Sequence, residues 1–206
     1  MTFKTATTCF WGFLLMCMNF SAYAQTTADI TIKTKDNSSI MMEAKAQLER
    51  ILADYDLDPW VFTHTVMIED FVVPHSHPVL TLNTRPAKRG NDIDQLSTFI
   101  HEQIHWYVDS KPVAEKKVLD IFKEWWPEVP VGRPNGAKST YSSYMHLIVC
   151  WLEFDAMRHF LGEEKAREYV AETGYYKWIY ERVLTDTDRI GDVLEKNGFV
   201  IKPESK

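Results

Sequence analysis

The sequence predicts an α+β fold, a small N-terminal β-sheet with helices followed by a helical C-terminal part. Three observations lead there. The 206 residues are 45% hydrophobic and 25% charged, the balance of an ordinary globular chain. Up to about residue 84, short apolar segments alternate with polar residues or are rich in β-branched and aromatic side chains. From about residue 92 the apolar residues recur at helical spacing, and strands first with helices after is the α+β order. The same composition excludes a disordered tail, a fibrous repeat and a multi-span membrane protein. The net charge is −6 and the basic residues are scattered, so nucleic acid is not an expected partner.

The first 24 residues read as a signal peptide. Lys4 supplies a positive charge, Cys9 to Phe20 an uncharged apolar run, and Ala22-Tyr23-Ala24 a small-x-small cleavage pattern. The run is too short to span a bilayer. Cleavage after Ala24 leaves one domain, residues 25–206, with net charge −7 and Cys150 as its one cysteine. An internal disulfide is then impossible, no membrane span is expected, and the location is periplasmic or secreted.

Ile30 to Lys35 alternates like a strand. Ser38 and Ser39 can cap a helix to about Asp54, with Ile40, Ala44, Leu48, Ile51 and Leu52 on one face. Trp60 to Ile68 and Val79 to Thr84 read as strands, separated by the turn-like Pro74-His75-Ser76-His77-Pro78. Ile93, Leu96, Phe99, Ile100, Ile104 and Val108 then mark a helix, with Asp92 and Gln95 as a capping box. A second helix runs from Pro112 to Trp126, and Pro127 to Lys138 is a long loop. Ser139 or Thr140 opens a helix ending near Gly162. Shorter helices follow at 163–172, 175–184 and 188–196.

The chemistry lies in His101-Glu102-Gln103-Ile104-His105, an H-E-x-x-H pattern. On a helix, positions i and i+4 share a face, so two imidazoles can reach one Zn²⁺ ion at roughly 2.0–2.1 Å. Glu102 adjoins the first ligand, where its carboxylate can contact a metal-bound water. Zinc lowers the pKa of that water toward about 7, and a glutamate there can accept its proton and pass it to a leaving amine.

The stretch Thr98 to Tyr107 resembles the extended zincin metallopeptidase signature. Thr98, Ile100, Gln103, Ile104, Trp106 and Tyr107 all suit that pattern around the two histidines. The resemblance implies a zincin-like active-site helix, a zinc cofactor and a peptide or protein substrate. It also implies that the strand before the helix, Val79 to Asn83, binds extended substrate by backbone pairing. The metzincin continuation is missing, since Val108 and Lys111 stand where glycine and histidine belong. A gluzincin-like arrangement remains, with a glutamate from a later helix as third ligand.

Glu153 is the choice for that ligand, because it is an ionisable residue in an otherwise apolar helix. Met157 stands where the gluzincin pattern has a supporting acid, so the match is incomplete. His146, two turns earlier on nearly the same face, is the competitor: a ligand with Glu153 behind the first shell of donors, or a stabiliser of the oxyanion. Tyr176 and Tyr180 are candidates for the oxyanion role, set against a simple core function. His75 and His77 read as exposed turn residues, with a second metal site as the alternative, and Cys150 reads as a small buried hydrophobe.

The expectation is therefore an exported zinc metallopeptidase, a hydrolase with His101, His105 and Glu153 at the metal and Glu102 as general base. The alternatives are a non-catalytic zincin-fold module binding zinc or a protein, and a zinc hydrolase of a non-peptide bond.

Overall fold

The computed structural model describes residues 30–203, so the signal peptide expected at 1–24 lies outside the described residues. Three short strands, β1 (Thr31–Thr34), β2 (Thr65–Ile68) and β3 (Leu80–Leu82), form one parallel sheet in the order β1-β2-β3. Ile32 pairs with Val66 and Val66 with Leu80, while Ile68 pairs with Leu82, so the buried apolar side chains fall into rows across the strands. Parallel strands need crossovers. The first contains α1 (Ser39–Asp54), which buries Met41, Ala44, Leu48 and Ile51. The second, residues 69–79, holds no helix and folds back so that His75 pairs antiparallel with Thr81.

A single turn of helix, α2 (Arg85–Arg89), closes on Gly90 in the left-handed conformation and leads into α3 (Asp92–Asp109). α4 (Pro112–Trp125) and α5 (Thr140–Leu161) follow, and then α6 (Glu163–Glu172), α7 (Lys177–Thr185) and α8 (Thr187–Lys196). α5 is the axis of the helical part: it packs against α3, α4, α6, α7 and α8. Its residues from Ser142 to Met157 are buried on nearly every side, as an apolar helix surrounded by others must be. α3 sits between α5 and the sheet, touching β3, α1 and α5.

The α+β expectation holds, and the helices from Asp92 onward start and stop close to the expected places. Several details differ, each for a local reason. Trp60 lies in a 3-10 turn (Asp58–Trp60) and pairing begins only at Thr65, because the Phe62 and Thr63 amides are taken by a side chain. Gln103 Oε1 accepts both at 2.8 Å, and its Nε2 donates to the Thr63 carbonyl at 2.9 Å. The capping box is not formed by Asp92. Asn91 is the cap and accepts from the Asp94 amide, while the Asp92 carboxylate is drawn to Gln47 and Arg50 of α1. α2 is too short to show a helical period, and Arg85-Pro86 reads as a turn. Tyr175 and Tyr176 precede α7 instead of belonging to it.

Gln103 is fully buried and, among the described residues, is the one side chain that satisfies the Phe62 and Thr63 amides and the Thr63 carbonyl. Gln103→Leu leaves two amides and a carbonyl without partners, and is expected to lower unfolding stability by about 2–4 kcal/mol. Urea titration checks this; a loss under about 0.5 kcal/mol would show that the strap from Phe62 to Thr63 does not depend on it.

Candidate metal centre

A helix that faces a core should bury apolar residues, yet α3 also buries Gln95, Ser97, His101, Glu102, Gln103 and His105. Buried polar groups persist when they are satisfied or used. Ser97 and His101 find their partner on α5, and Gln103 finds its partners in the backbone before β2.

Glu153 of α5 is 1% exposed and accepts three hydrogen bonds: Ser97 Oγ at 2.5 Å, His101 Nδ1 at 2.8 Å and Tyr180 Oη at 2.7 Å. Ser97 and His101 are one turn apart on α3, so both reach one carboxylate. A carboxylate only accepts, so the His101 proton is on Nδ1 and Nε2 points its lone pair elsewhere. Burial opposes the protonated form of His101. The Glu153 hydrogen bond and charge, helped by Glu102, outweigh it and raise the pKa above the ordinary value.

On the other side of His101 stand His105 and His146. The three imidazole centroids are 5.0, 5.1 and 5.5 Å apart. Each ring offers one nitrogen, and these atoms all lie within 4.8 Å of one another. His146 Nδ1 donates to the Ser142 carbonyl, one turn back, at 2.6 Å. A carbonyl only accepts, so the His146 lone pair is on Nε2. Burial, then the charge of His101, lowers the His146 pKa to about 3. Burial, then His101, His146, His77 and Lys138, lowers that of His105 far below the ordinary range. His105 has no hydrogen-bond partner among the described residues.

Glu102 is buried and likewise has no hydrogen-bond partner among the described residues. Burial pushes its carboxyl up to about 7, against the pull of His101 and His75. Tyr176 lies with its ring 4.4 Å from His146 and 6.0 Å from His101, nearly parallel to the latter. Its backbone is left-handed, φ 54°, a conformation an aromatic residue seldom takes and one that clusters at functional sites. Burial is the main reason its phenol stays protonated.

The structure thus divides the expected residues. His101, His105, His146, Glu102 and Tyr176 come together. Among the described residues, Glu153 shares a potential metal-holding group with His101 and Cys150, but none with His105. Tyr180 is 2% exposed with its hydroxyl donated to Glu153, on the oxygen that also accepts from His101 Nδ1, while Tyr176 lies against His101 and His146. Cys150 is buried and free, and burial keeps its thiol protonated.

His75 and His77 are exposed as expected, but they are tied down. His75 exchanges both backbone hydrogen bonds with Thr81, at 2.8 and 3.0 Å. Trp106 Nε1 donates to the Ser76 carbonyl at 3.0 Å, and the His77 ring stacks on Trp106 at 4.1 Å. Neither histidine joins a group of three metal-ligating side chains among the described residues. This strap also occupies the outward N–H and C=O of Thr81, the middle of the edge that the resemblance gives to substrate.

Ser97 and Ser142 escape sequence reasoning, and so does the supporting role of Gln103, which is legible only as part of the motif. Ser97 and Ser142 each stand one turn before a site histidine, a spacing that signals a shared face. Comparison with protein-family models, with curated proteins and with solved structures finds no match for this chain.

In the metal-free protein, His146 should be neutral with its proton on Nδ1 from pH 7 down to pH 5. Long-range ¹H–¹⁵N spectra of the imidazoles check this. A proton on Nε2, or a titration between pH 5 and 7, would contradict the geometry at Ser142.

Proposed function

We propose that this chain is a zinc-dependent hydrolase of peptide bonds, with His101, His105 and His146 as metal ligands and Glu102 as proton carrier. The reading rests above all on one observation: three imidazoles from two helices converge beside a buried carboxylate that no protein group holds. The donor set fits zinc. Three nitrogen ligands leave a fourth position open, as catalytic sites do, whereas structural sites fill all four with cysteine and histidine. Cys150 belongs to the group on the Glu153 side of His101, not to the three-histidine group. The likeness of residues 98–107 to the zincin signature adds the peptide bond as substrate.

This reading reassigns Glu153 from ligand to support. By accepting the His101 Nδ1 proton it fixes the tautomer that leaves Nε2 free, and its charge raises the basicity of that nitrogen. The Ser142 carbonyl does the same for His146. Bound zinc supplies a Lewis acid that polarises a carbonyl and lowers the pKa of a water ligand toward about 7. Glu102 takes the proton of the attacking water on its carboxylate and returns it to the leaving amine. The protonated Tyr176 hydroxyl donates to the oxygen that gains negative charge. Tyr180 acts only through Glu153. Export to the periplasm or beyond belongs to the same proposal and rests on the N-terminal segment.

Two measurements separate these roles. In equilibrium zinc titration, His146→Ala should lose more affinity than Glu153→Gln, whose loss should be about 10–100-fold. A larger loss for Glu153→Gln would return the third ligand to the carboxylate. Glu102→Gln should keep zinc while peptide hydrolysis falls roughly 10²–10⁴-fold, as liquid chromatography of a peptide mixture would read. Full activity in that variant would remove the proposed proton carrier.

A further inference from the structure

The loop 127–138 between α4 and α5 carries two exposed cations, Arg133 and Lys138, and neither forms an ion pair or a side-chain hydrogen bond among the described residues. The loop itself is firmly built. Gly132 donates to the Ala137 carbonyl at 2.7 Å and Gly136 to the Gly132 carbonyl at 2.8 Å. Ser143 Oγ donates to the Pro130 carbonyl at 2.7 Å and accepts from the Ala137 amide at 2.9 Å. Gly136 fits because it lacks a Cβ, which would lie 1.9 Å from the Pro130 oxygen. The loop is also tied to both elements that reach the three histidines. Lys138 precedes Ser139, the cap of the helix bearing Ser142 and His146. The Pro134 carbonyl, next to Arg133, accepts from the amide of Lys177, next to Tyr176.

The charges reach the centre. Lys138 disfavours protonation of both His105 and His146, and Arg133 acts on Tyr176. Three carboxylates of neighbouring elements are already engaged: Asp109 faces His77 at 3.4 Å, Glu115 accepts from Tyr141 at 2.6 Å, and Glu153 holds its three donors. Glu102 and the exposed Glu128 of the loop itself form no ion pair among the described residues. Arg133 and Lys138 therefore keep all their side-chain donors open to an added anion.

We propose that Arg133 and Lys138 recognise a carboxylate on the substrate, so that the site prefers peptides with an anionic group close to the bond it cuts. The proposal rests on the hydrolase reading above. The carboxylate is either a free C-terminus or an acidic side chain, and both present the same fork of oxygens to a cation.

The test uses zinc-loaded Glu102→Gln protein and isothermal titration with three acetylated peptides of one length. One has a free C-terminus and neutral side chains, one is its amide, and one is an amide carrying a single glutamate. At least one anionic peptide should bind about tenfold or more tightly than the neutral amide. The stronger of the two identifies the source of the carboxylate. The preference should vanish when Arg133→Ala and Lys138→Ala are added, survive Arg133→Lys with Lys138→Arg, and weaken with salt. Equal binding of all three peptides overturns the proposal and leaves the hydrolase reading standing. A preference that survives the double alanine variant also overturns it, because the anion is then held by the metal. Failure of the protein to take up zinc, or to bind any of the peptides, sinks the hydrolase reading and the proposal with it.

Discussion

The arrangement depends on a negative charge buried where three helices meet. Removing a carboxylate from water costs several kcal/mol even after relaxation, so Glu153 must be met by donors wherever it lies. Ser97 and His101 from α3 and Tyr180 from α7 meet it on α5. Charge-assisted bonds of this kind are about twice as strong as neutral ones, and three of them fix how the helices sit together. That placement has a chemical result. His101 is held by one nitrogen, so its other nitrogen is aimed away from Glu153. His146 lies two turns up α5 from Glu153, about 10 Å along the helix, and comes to that second side. The carboxylate that secures the packing also sets the ring that the site uses.

A second layer keeps α3 itself in place. Gln103, between the two histidines of the motif, binds the backbone ahead of β2, and Trp106 just beyond them binds the strap beside β3. The residues of the motif that bear no chemistry therefore anchor it to the sheet. His105 and Glu102 are the exceptions, with no hydrogen-bond partners among the described residues. Tyr176 adds a strained backbone turn that lays its ring across two of the histidines. Buried groups left without partners cost stability, and their presence together is what a site built for an added ligand would retain.

Much of this was legible in the sequence. The helical period from Ile93 onward, Pro112 at a helix start and Gly162 at a helix end placed α3, α4 and α5 to within a residue or two, because these are local signals. His101, Glu102 and His105 followed from spacing on one helix. The relation of His146 to Glu153 did not. Both residues are buried on α5, and helix geometry says that they share a face, but not which of them meets the α3 histidines. That depends on how α5 crosses α3, a long-range fact. The strap from residue 69 to 79 was hidden for the same reason, since its pairing with Thr81 involves the backbone and leaves no side-chain pattern. The truncated strand at Thr65 was hidden because β-branched residues favour pairing, while a distant glutamine had already claimed the amides.

The central claim is that three imidazoles, and not Glu153, hold the metal. A crystal structure of the zinc-loaded protein tests it most directly. The account predicts nitrogen ligation by His101, His105 and His146, with Glu153 still accepting from His101 Nδ1 and from Tyr180. Zinc bound through a Glu153 oxygen, with His146 still on the Ser142 carbonyl but outside the metal's reach, would contradict it.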